Sequence, residues 1–292
     1  MLTARAPAKI NLVLEVLGRR ADGYHDIYGI AQTIDVYDTL CFEPSDEVRF
    51  TCSEPALEKD NLVERAAVLL RKRTGTTRGA HIHLQKHIPW GAGLGGGSSD
   101  AAATLRSLNV LWGLGLNDRE LAPLASELGS DVSLFMHGGT VLTEGRGDVT
   151  LPVTPLPTTH LVLLIPPGTQ IEAKTATLYR RLRTAHFTKG QVVRAALFSL
   201  STAKRIPEDL MFNAFETVAF DFFPGLLEVK SVFEEAAEER VHLAGSGPCL
   251  FAQFGGVMRA RETASRLRAR GYDVRVARTT CGRDSAAGGG PI

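Results

Sequence analysis

The first regular pattern in the chain is an alternation of apolar and polar residues near the N-terminus. From Ala8 to Val16 every second side chain is aliphatic, and this period of two predicts a half-buried β-strand. One face holds Ile10, Leu12, Leu14 and Val16, and the other holds Lys9, Asn11, Val13 and Glu15. The strand therefore presents Lys9 and Asn11 side by side, on a face that is a candidate for an active site.

Further strands and helices are predicted on both sides of a proline-rich stretch. Before it, periodicity and breakers predict strands over Ile30–Leu40 and His81–Leu84, and helices over Asn61–Arg73, Ala101–Leu111 and Glu120–Leu128. After it, they predict strands over Leu161–Ile165, Leu250–Phe254 and Asp273–Ala277, and helices over Ala173–Leu182, Leu226–Glu239 and Ala260–Arg270. A fold of the α+β class follows from this mixture.

The proline-rich stretch is the candidate domain boundary. Pro152, Pro155 and Pro157 are expected to interrupt regular structure and form a semi-rigid connector. A length of 292 residues also favours two domains. We therefore predict one domain over residues 1–154, a second over 155–282, and a disordered Gly- and Ala-rich tail over 283–292.

Composition and charge argue against several classes of function. With 33 Lys and Arg against 32 Asp and Glu, the net charge is +1, so no broad basic field favours nucleic acid. No apolar run approaches the roughly 20 residues of a membrane span. The N-terminus also lacks the pattern of a signal peptide. We expect a cytoplasmic enzyme without nucleic-acid or membrane partners, either a monomer or a homodimer.

Cysteine and histidine spacing does not favour a metal site. The four cysteines, at positions 41, 52, 249 and 281, form no C-x-x-C motif, so we expect reduced thiols. His81 and His83 share one face of a predicted strand, which allows a metal interpretation. A solvated strand face is the favoured alternative.

The strongest chemical signal is a glycine-rich loop that runs directly into a helix-forming segment. Glycines allow backbone N–H groups to approach phosphates closely, and a helix N-terminus near Ser98 or Ser99 adds unpaired N–H groups and a positive dipole end. A polyphosphate cradle is the first hypothesis, which makes the protein a candidate nucleotide-using enzyme. The residues of this loop are Pro89, Trp90, Gly91, Ala92, Gly93, Leu94, Gly95, Gly96, Gly97, Ser98 and Ser99.

Other interpretations of this loop carry less weight. A G-x-G-x-x-G pattern is present and Asp118 lies near the required spacing, but Pro89 and Trp90 separate the glycines from the preceding strand. A Walker A loop needs a lysine that is missing here, and the protein-kinase motifs are absent. A flexible glycine loop without a ligand is the remaining alternative.

Several motifs together resemble those of the GHMP kinase superfamily. In chain order they are Pro7-Ala-Lys9-Ile-Asn11-Leu, Gly18-Arg-Arg-Ala-Asp22-Gly-Tyr24-His25, the loop Pro89 to Ser99, Gly129-Ser-Asp131-Val and Gly245-Ser-Gly247. The resemblance covers the chain to about residue 254. It implies an N-terminal domain like ribosomal protein S5, a ferredoxin-like C-terminal domain, and an active site in the cleft between them.

The resemblance also implies an ATP-dependent kinase that phosphorylates a small-molecule alcohol. In it, Asp131 acts as the base beside the acceptor hydroxyl, and Lys9 stabilises negative charge on the reacting oxygens. Without the resemblance, the alternatives are a helix N-cap for Asp131, which is compatible with a catalytic role, and an exposed strand lysine for Lys9. Mg²⁺ is implied by the ATP chemistry, with Ser98 or Ser99 as the nearest hydroxyl.

The motifs Pro-Ala-Lys-Ile-Asn-Leu and Asp-Gly-Tyr-His resemble those members whose acceptor is a sugar alcohol linked to cytidine diphosphate. There, Asn11 contacts the sugar alcohol, and Tyr24 and His25 bind the base. Tyr179 is a weaker candidate for the second side of the base, or a plain helix-face residue. Residues Gly245, Ser246 and Gly247 are expected to bring backbone amides to the substrate, or to form a simple turn.

Two alternatives stay open. One is a GHMP kinase for homoserine or a mevalonate-type alcohol, whose acceptors have no need of Tyr24 and His25. The other is a catalytically silent member that binds a nucleotide, which the presence of Lys9 and Asp131 disfavours.

Overall fold

The fold consists of two β-sheets with helices packed against them. A computed structural model describes residues 1–167, 171 and 173–282. The strands are β1 (Leu2–Arg19), β2 (His25–Ser45), β3 (Val48–Cys52), β4 (Gly79–Gln85), β5 (Thr140–Gly145), β6 (Val149–Pro152), β7 (His160–Ile165), β8 (Phe212–Asn213), β9 (His242–Leu243), β10 (Leu250–Phe254) and β11 (Asp273–Arg278). The helices are α1 (Leu62–Thr74), α2 (Gly96–Leu111), α3 (Asp118–Leu128), α4 (Ser130–Phe135), α5 (Lys174–Arg181), α6 (Gln191–Ala203), α7 (Glu216–Phe222), α8 (Leu226–Ala237) and α9 (Val257–Ala269).

The two sheets come mainly from the two halves of the chain. The first has the order β3-β4-β2-β1-β8, and β5 pairs with both β2 and β6. The second is antiparallel, with the order β11-β7-β10-β9. Because β8 pairs in parallel with β1, the first sheet includes a strand from beyond residue 155. The boundary at residue 154 stays a prediction.

Strand β1 is longer than the alternation predicted, and it is not half-buried. Every residue from Ala8 to Val16 is buried, because α2 contacts this strand and a core between the two sheets covers its other side. That core joins Ile10 and Leu12 to Leu163 and Phe251 of the second sheet. Lys9 and Asn11 are therefore enclosed residues rather than surface ones.

Most predicted elements are found with shifted ends. Pro152 is the last residue of β6, and residues 153–159 form no helix or strand, so the proline-rich stretch interrupts regular structure as expected. Helices α6 and α7, and strands β3, β5, β6 and β8, were not anticipated from the sequence. The predicted disordered tail lies outside the described residues.

Candidate active site

The glycine loop uses positive φ angles to turn tightly into α2. Gly91, Gly93 and Gly95 have φ angles of 71°, 87° and 73°, a region that only glycine adopts without strain. Gly95 is the N-cap, so α2 begins at Gly96, a little earlier than the sequence predicted. The first N–H groups of the helix consequently stand beside the loop without intrahelical partners.

Contacts on both sides fix the loop in place. Lys9 N donates to Leu94 O at 2.9 Å, and Cys249 N donates to Ala92 O at 3.2 Å. A Cβ atom on Gly93 would lie 2.1 Å from Ala244 O. The loop is therefore packed between β1 and the turn before β10, unlike a flexible linker.

A buried ion cluster packs against the start of α2. Lys86 Nζ lies 2.5 Å from Asp38 Oδ2 and 2.9 Å from Asp100 Oδ2. Burial raises the pKa of Asp100 to about 8 despite the nearby ammonium, and the Asp38 charge adds to the rise. Asp38 also accepts hydrogen bonds from the backbone N–H groups of His87 and Ile88, which lead into the loop. The sequence offered no pattern that links these residues.

Lys9 and Asn11 lie together in the cleft, as predicted. Lys9 Nζ donates to Asn11 Oδ1 at 2.7 Å and lies 3.6 Å from Asp131 Oδ2. Only 5% of Lys9 is exposed, so the alternative of an exposed strand lysine is wrong. A Cβ atom on Gly95 would approach the Lys9 stem to 3.0 Å, and one on Gly245 would approach Lys9 Nζ to 3.0 Å. Two glycines thus leave the space that this side chain fills.

Asp131 lies in the first turn of α4. The N-cap is Gly129 and no side chain caps the helix, so the N-cap alternative for Asp131 is wrong. Its side chain is 46% exposed and faces both Lys9 and the open cleft. The carboxylate is therefore accessible to a ligand while a buried ammonium stands beside it.

Three adjoining cavities run along the cleft. The glycine-loop cavity, of about 310 Å³, is lined by Leu57, Lys59, Asn61, Leu62, Pro89, Trp90 and the glycine loop. The central cavity, of about 500 Å³, is lined by Lys9, Asn11, Gly93, Ser98, Asp131, Lys174, Gly245 and Ser246. The aromatic cavity is lined by Tyr24, His25, Ser98, Asp131, Arg146, Tyr179 and Phe187. The first two volumes lie within the range of small-molecule sites, and the aromatic cavity is larger, at about 1300 Å³.

Ser98 and Asp131 line both the central and the aromatic cavities. Ser99 is only 1% exposed, and its hydroxyl has no hydrogen-bond partner. Of the two serines proposed near a metal ion, Ser98 is the one that faces the cleft.

The aromatic cavity brings together rings that are far apart in the sequence. The His25 ring stacks on Tyr179 with a centroid distance of 4.9 Å and an interplanar angle of 18°. The Phe187 ring lies edge-on to His25 with a centroid distance of 6.0 Å, and sequence reasoning missed this residue. Tyr24 is 57% exposed, and the guanidinium of Arg146 lies 5.1 Å from its ring centroid.

The stacking of His25 on Tyr179 constrains where a base can bind. A base stacked between two rings needs about 3.5 Å on each side, so the rings must be about 7 Å apart. The centroids of His25 and Tyr179 are only 4.9 Å apart. In this conformation Tyr179 stacks directly on His25, which leaves no room for a base between these two rings.

The Gly245–Gly247 turn connects β9 to β10 and closes the central cavity. Asn213 Nδ2 donates to Gly245 O at 2.8 Å and to Leu243 O at 2.9 Å. Thr175 and Ser246 share a hydroxyl–hydroxyl hydrogen bond of 2.9 Å. The turn interpretation is thus confirmed, and the turn also lies against the glycine loop.

The cysteines and the two strand histidines were the other features singled out in the sequence. All four cysteines are free. His81 and His83 are exposed on β4, and His83 contacts Thr51 at 3.0 Å, as expected for a solvated face. Across residues 1–167, 171 and 173–282, no cluster of three His, Cys, Asp or Glu side chains suits a metal ion. Within the same residues, no helix combines the length and apolar character of a membrane span.

Comparison with known proteins places this cleft in context. Residues 61–139 match the family described as GHMP kinases N terminal domain. A crystal structure of mevalonate kinase from L. major in complex with R-mevalonate superposes with a TM-score of 0.71 at 18% identity, covering 98% of this chain and 97% of that one. That likeness shows a shared fold.

Closer relatives narrow the assignment. A 4-diphosphocytidyl-2-C-methyl-D-erythritol kinase from Dehalococcoides mccartyi strain BAV1 is 42% identical over 268 residues, covering 91% of this chain and 93% of the relative. One from Pelotomaculum thermopropionicum is 38% identical, covering 96% and 98%. A crystal structure of 4-(cytidine 5'-diphospho)-2C-methyl-D-erythritol kinase has a TM-score of 0.80 at 35% identity, covering 95% and 99%.

The two sheets and the glycine-loop cleft define a small-molecule kinase of the GHMP fold. Within that class, the chain belongs to the family of 4-diphosphocytidyl-2-C-methyl-D-erythritol kinases.

Proposed function

We propose that the protein transfers the γ-phosphoryl group of ATP to the 2-hydroxyl of 4-diphosphocytidyl-2-C-methyl-D-erythritol. The observation that carries this proposal is the position of Asp131. It lies 3.6 Å from Lys9, where the cavity beside the glycine loop meets the cavity lined with aromatic rings. A nucleotide and an acceptor bound in these cavities meet at this carboxylate.

The nucleotide side of the proposal rests on the glycine loop. The triphosphate lies along Gly91 to Gly97, where the N–H groups at the start of α2 bind its oxygens. The adenine side extends into the cavity lined by Leu57, Asn61 and Trp90.

In the chemical step, the acceptor oxygen forms a bond to the γ-phosphorus while the bond to the β–γ bridging oxygen breaks. Asp131 takes the proton of the hydroxyl, and ADP leaves with the bonding electron pair. Lys9 stabilises the ionised carboxylate and the charge on the transferred oxygens. Such a loose, charge-rich transition state is stabilised mainly by positioning and electrostatics.

The residues around Ser98 fit a magnesium ion bound with the nucleotide. Mg²⁺ prefers hard oxygen ligands and usually takes one or two from the protein and the rest from phosphates and water. Ser98 offers a hydroxyl oxygen on the wall of the central cavity, beside the glycine loop. When bound, the ion would neutralise phosphate charge.

The acceptor side rests on Asn11 and the aromatic cavity. Asn11 contacts the sugar alcohol from the cleft floor, and Tyr24 and Phe187 offer ring faces for the cytosine. Burial, and then the charge of Arg19, lower the pKa of His25, so its ring is neutral at pH 7. A neutral imidazole donates from one nitrogen and accepts at the other, which suits the edge of a base.

A comparison of three acceptors, each assayed separately, tests the acceptor assignment. Formation of ADP is measured with Mg-ATP and equal concentrations of 4-diphosphocytidyl-2-C-methyl-D-erythritol, homoserine or mevalonate. The proposal expects kcat/KM to be highest, by orders of magnitude, with the cytidylyl acceptor. Preference for homoserine or mevalonate would favour the rival GHMP activity, and tight ATP binding without turnover would favour a silent member.

A further inference from the structure

Lys174 bridges the two backbone segments that enclose the central cavity. Only 7% of this first residue of α5 is exposed. Its Nζ donates to Gly91 O of the glycine loop at 2.6 Å and also to Gly247 O of the turn. The ammonium thus stands at the junction of both loops.

The charge of Lys174 has no close counter-ion in the described part of the chain. Within that part, no carboxylate lies within 4.0 Å of its Nζ, and its hydrogen-bond partners are two carbonyl oxygens. A buried ammonium without an opposite charge is costly, so the arrangement favours an anion in the cavity.

The neighbouring groups leave this part of the cleft positively charged. Lys9 from β1 faces Lys174, and Asp131 from α4 pairs with Lys9 at 3.6 Å. Burial raises the pKa of Cys249 to about 12, so that thiol is neutral at the same site. Thr175 and Ser246 contribute only hydroxyls. The one carboxylate described here pairs with Lys9, so its charge does not offset that of Lys174.

We infer that Lys174 binds a phosphate group of the nucleotide through its third N–H, which the two carbonyls leave available to the central cavity. This inference rests on the proposed function, since it takes the nucleotide to lie along the glycine loop. It assigns Lys174 two roles: holding both loops together and neutralising phosphate charge.

A proton-linkage effect follows from this arrangement. Burial and the charge of Lys9 lower the pKa of Lys174 to about 8, so part of the free enzyme is unprotonated at pH 8. A bound phosphate favours the charged ammonium and raises that pKa. Nucleotide binding at pH 8 should therefore take up a proton, and nucleotide affinity should fall as pH rises further.

Calorimetric titration with Mg-ATPγS at pH 8, in two buffers of different ionisation enthalpy, measures this uptake. Wild type should take up roughly half a proton. Both Lys174→Met and Lys174→Arg should take up about half a proton less than wild type, because methionine does not titrate and arginine stays charged. Any uptake by Asp100, whose pKa is also about 8, is common to all three enzymes. Lys174→Met should bind about ten- to hundredfold more weakly. Lys174→Arg should keep most of the affinity, and exposed Lys72→Met should behave as wild type.

Equal proton uptake by wild type and both Lys174 variants would overturn the inference, as would binding by wild type with no uptake. These outcomes leave nucleotide binding intact and so differ from failure of the kinase proposal. Wild type that binds no nucleotide would refute both. A titration with Mg-ADP in place of Mg-ATPγS shows which phosphate Lys174 contacts. A smaller proton uptake with Mg-ADP assigns the contact to the γ-phosphate, and an equal proton uptake assigns it to the α- or β-phosphate.

Discussion

At the scale of single residues, the cleft depends on a buried lysine between two glycines. Lys9 fills space that a Cβ atom on Gly95 or Gly245 would occupy, and its ammonium contacts Asn11 and Asp131. The proposed base, Asp131, and its proposed electrostatic partner, Lys9, are thereby held close together before any ligand binds. Preorganisation of this kind lowers the cost of reaching the transition state.

Replacing the proposed base separates catalysis from binding. In Asp131→Asn, the carboxylate that takes the proton is gone while the shape is kept, so kcat should fall by roughly 10²- to 10⁴-fold. Steady-state kinetics should show little change in the KM for ATP. The exposed Asp221→Asn on α7 is the matched control and should keep full activity. An Asp131→Asn enzyme with wild-type kcat would refute the base assignment.

The pH dependence of acceptor binding tests His25. Its pKa is lowered by burial, so the neutral ring is present at pH 7 and is lost as pH falls through a pKa below the ordinary histidine value. We expect the KM for the cytidylyl acceptor to rise as the pH is lowered through that range. His25→Ala should have a high KM that no longer varies with a histidine titration, whereas exposed His81→Ala should follow wild type. An unchanged acceptor KM in His25→Ala would contradict the base-recognition role.

Some of these residues were accessible from the sequence and others were not. Lys9, Asn11 and Asp131 lie in local motifs, and the structure brings them together. Phe187, Lys174 and Asn213 reach the site only through contacts between distant segments, which no local pattern encodes. A buried ammonium on two glycine carbonyls, as at Lys174, looks in sequence like any other lysine.

At the scale of elements, the glycine loop and the Gly245–Gly247 turn are packed on each other. Gly93 has a φ of 87°, and Ala244 O lies where its Cβ would be. The glycine loop and the turn are therefore packed as one unit.

This packing makes Gly93→Ala a sharp test of the loop. The added methyl group must displace Ala244 O, and the positive φ adds backbone strain. We expect a lower melting temperature and a roughly hundredfold loss of kcat/KM for ATP, in line with the cost of a misplaced site. Gly255→Ala meets no atom within 4 Å and serves as the control, measured by thermal unfolding and steady-state kinetics. Equal activity of Gly93→Ala and wild type would show that the close packing is not needed.

Element prediction succeeded where the pattern is strong and failed where packing decides. The amphipathic α3, with its Asn117 and Glu120 capping box, and strand β10 follow their local signals. Helix α7 contains aromatic and β-branched residues that favour strands, and its packing against α5 and α8 overrides that propensity. Strand β8 has only two residues, and its pairing with β1 is not local.

At the scale of the whole molecule, the cleft lies where the two sheets share a core. Ile10 and Leu12 of the first sheet pack with Leu163 and Phe251 of the second, and β8 adds a strand from the second half to the first sheet. The glycine loop from one half and the turn from the other are thus fixed against each other. The three adjoining cavities follow from that arrangement, which the sequence indicated only through its resemblance to GHMP kinases.

The most direct test of the account is phosphorus NMR of the purified protein with Mg-ATP and 4-diphosphocytidyl-2-C-methyl-D-erythritol. The account predicts a new phosphomonoester resonance that appears with ADP, and none when mevalonate or homoserine replaces the cytidylyl acceptor. A phosphomonoester formed only with mevalonate or homoserine would contradict the assignment of the aromatic cavity to the cytosine. No phosphomonoester with any acceptor would contradict the central claim that this cleft transfers a phosphoryl group.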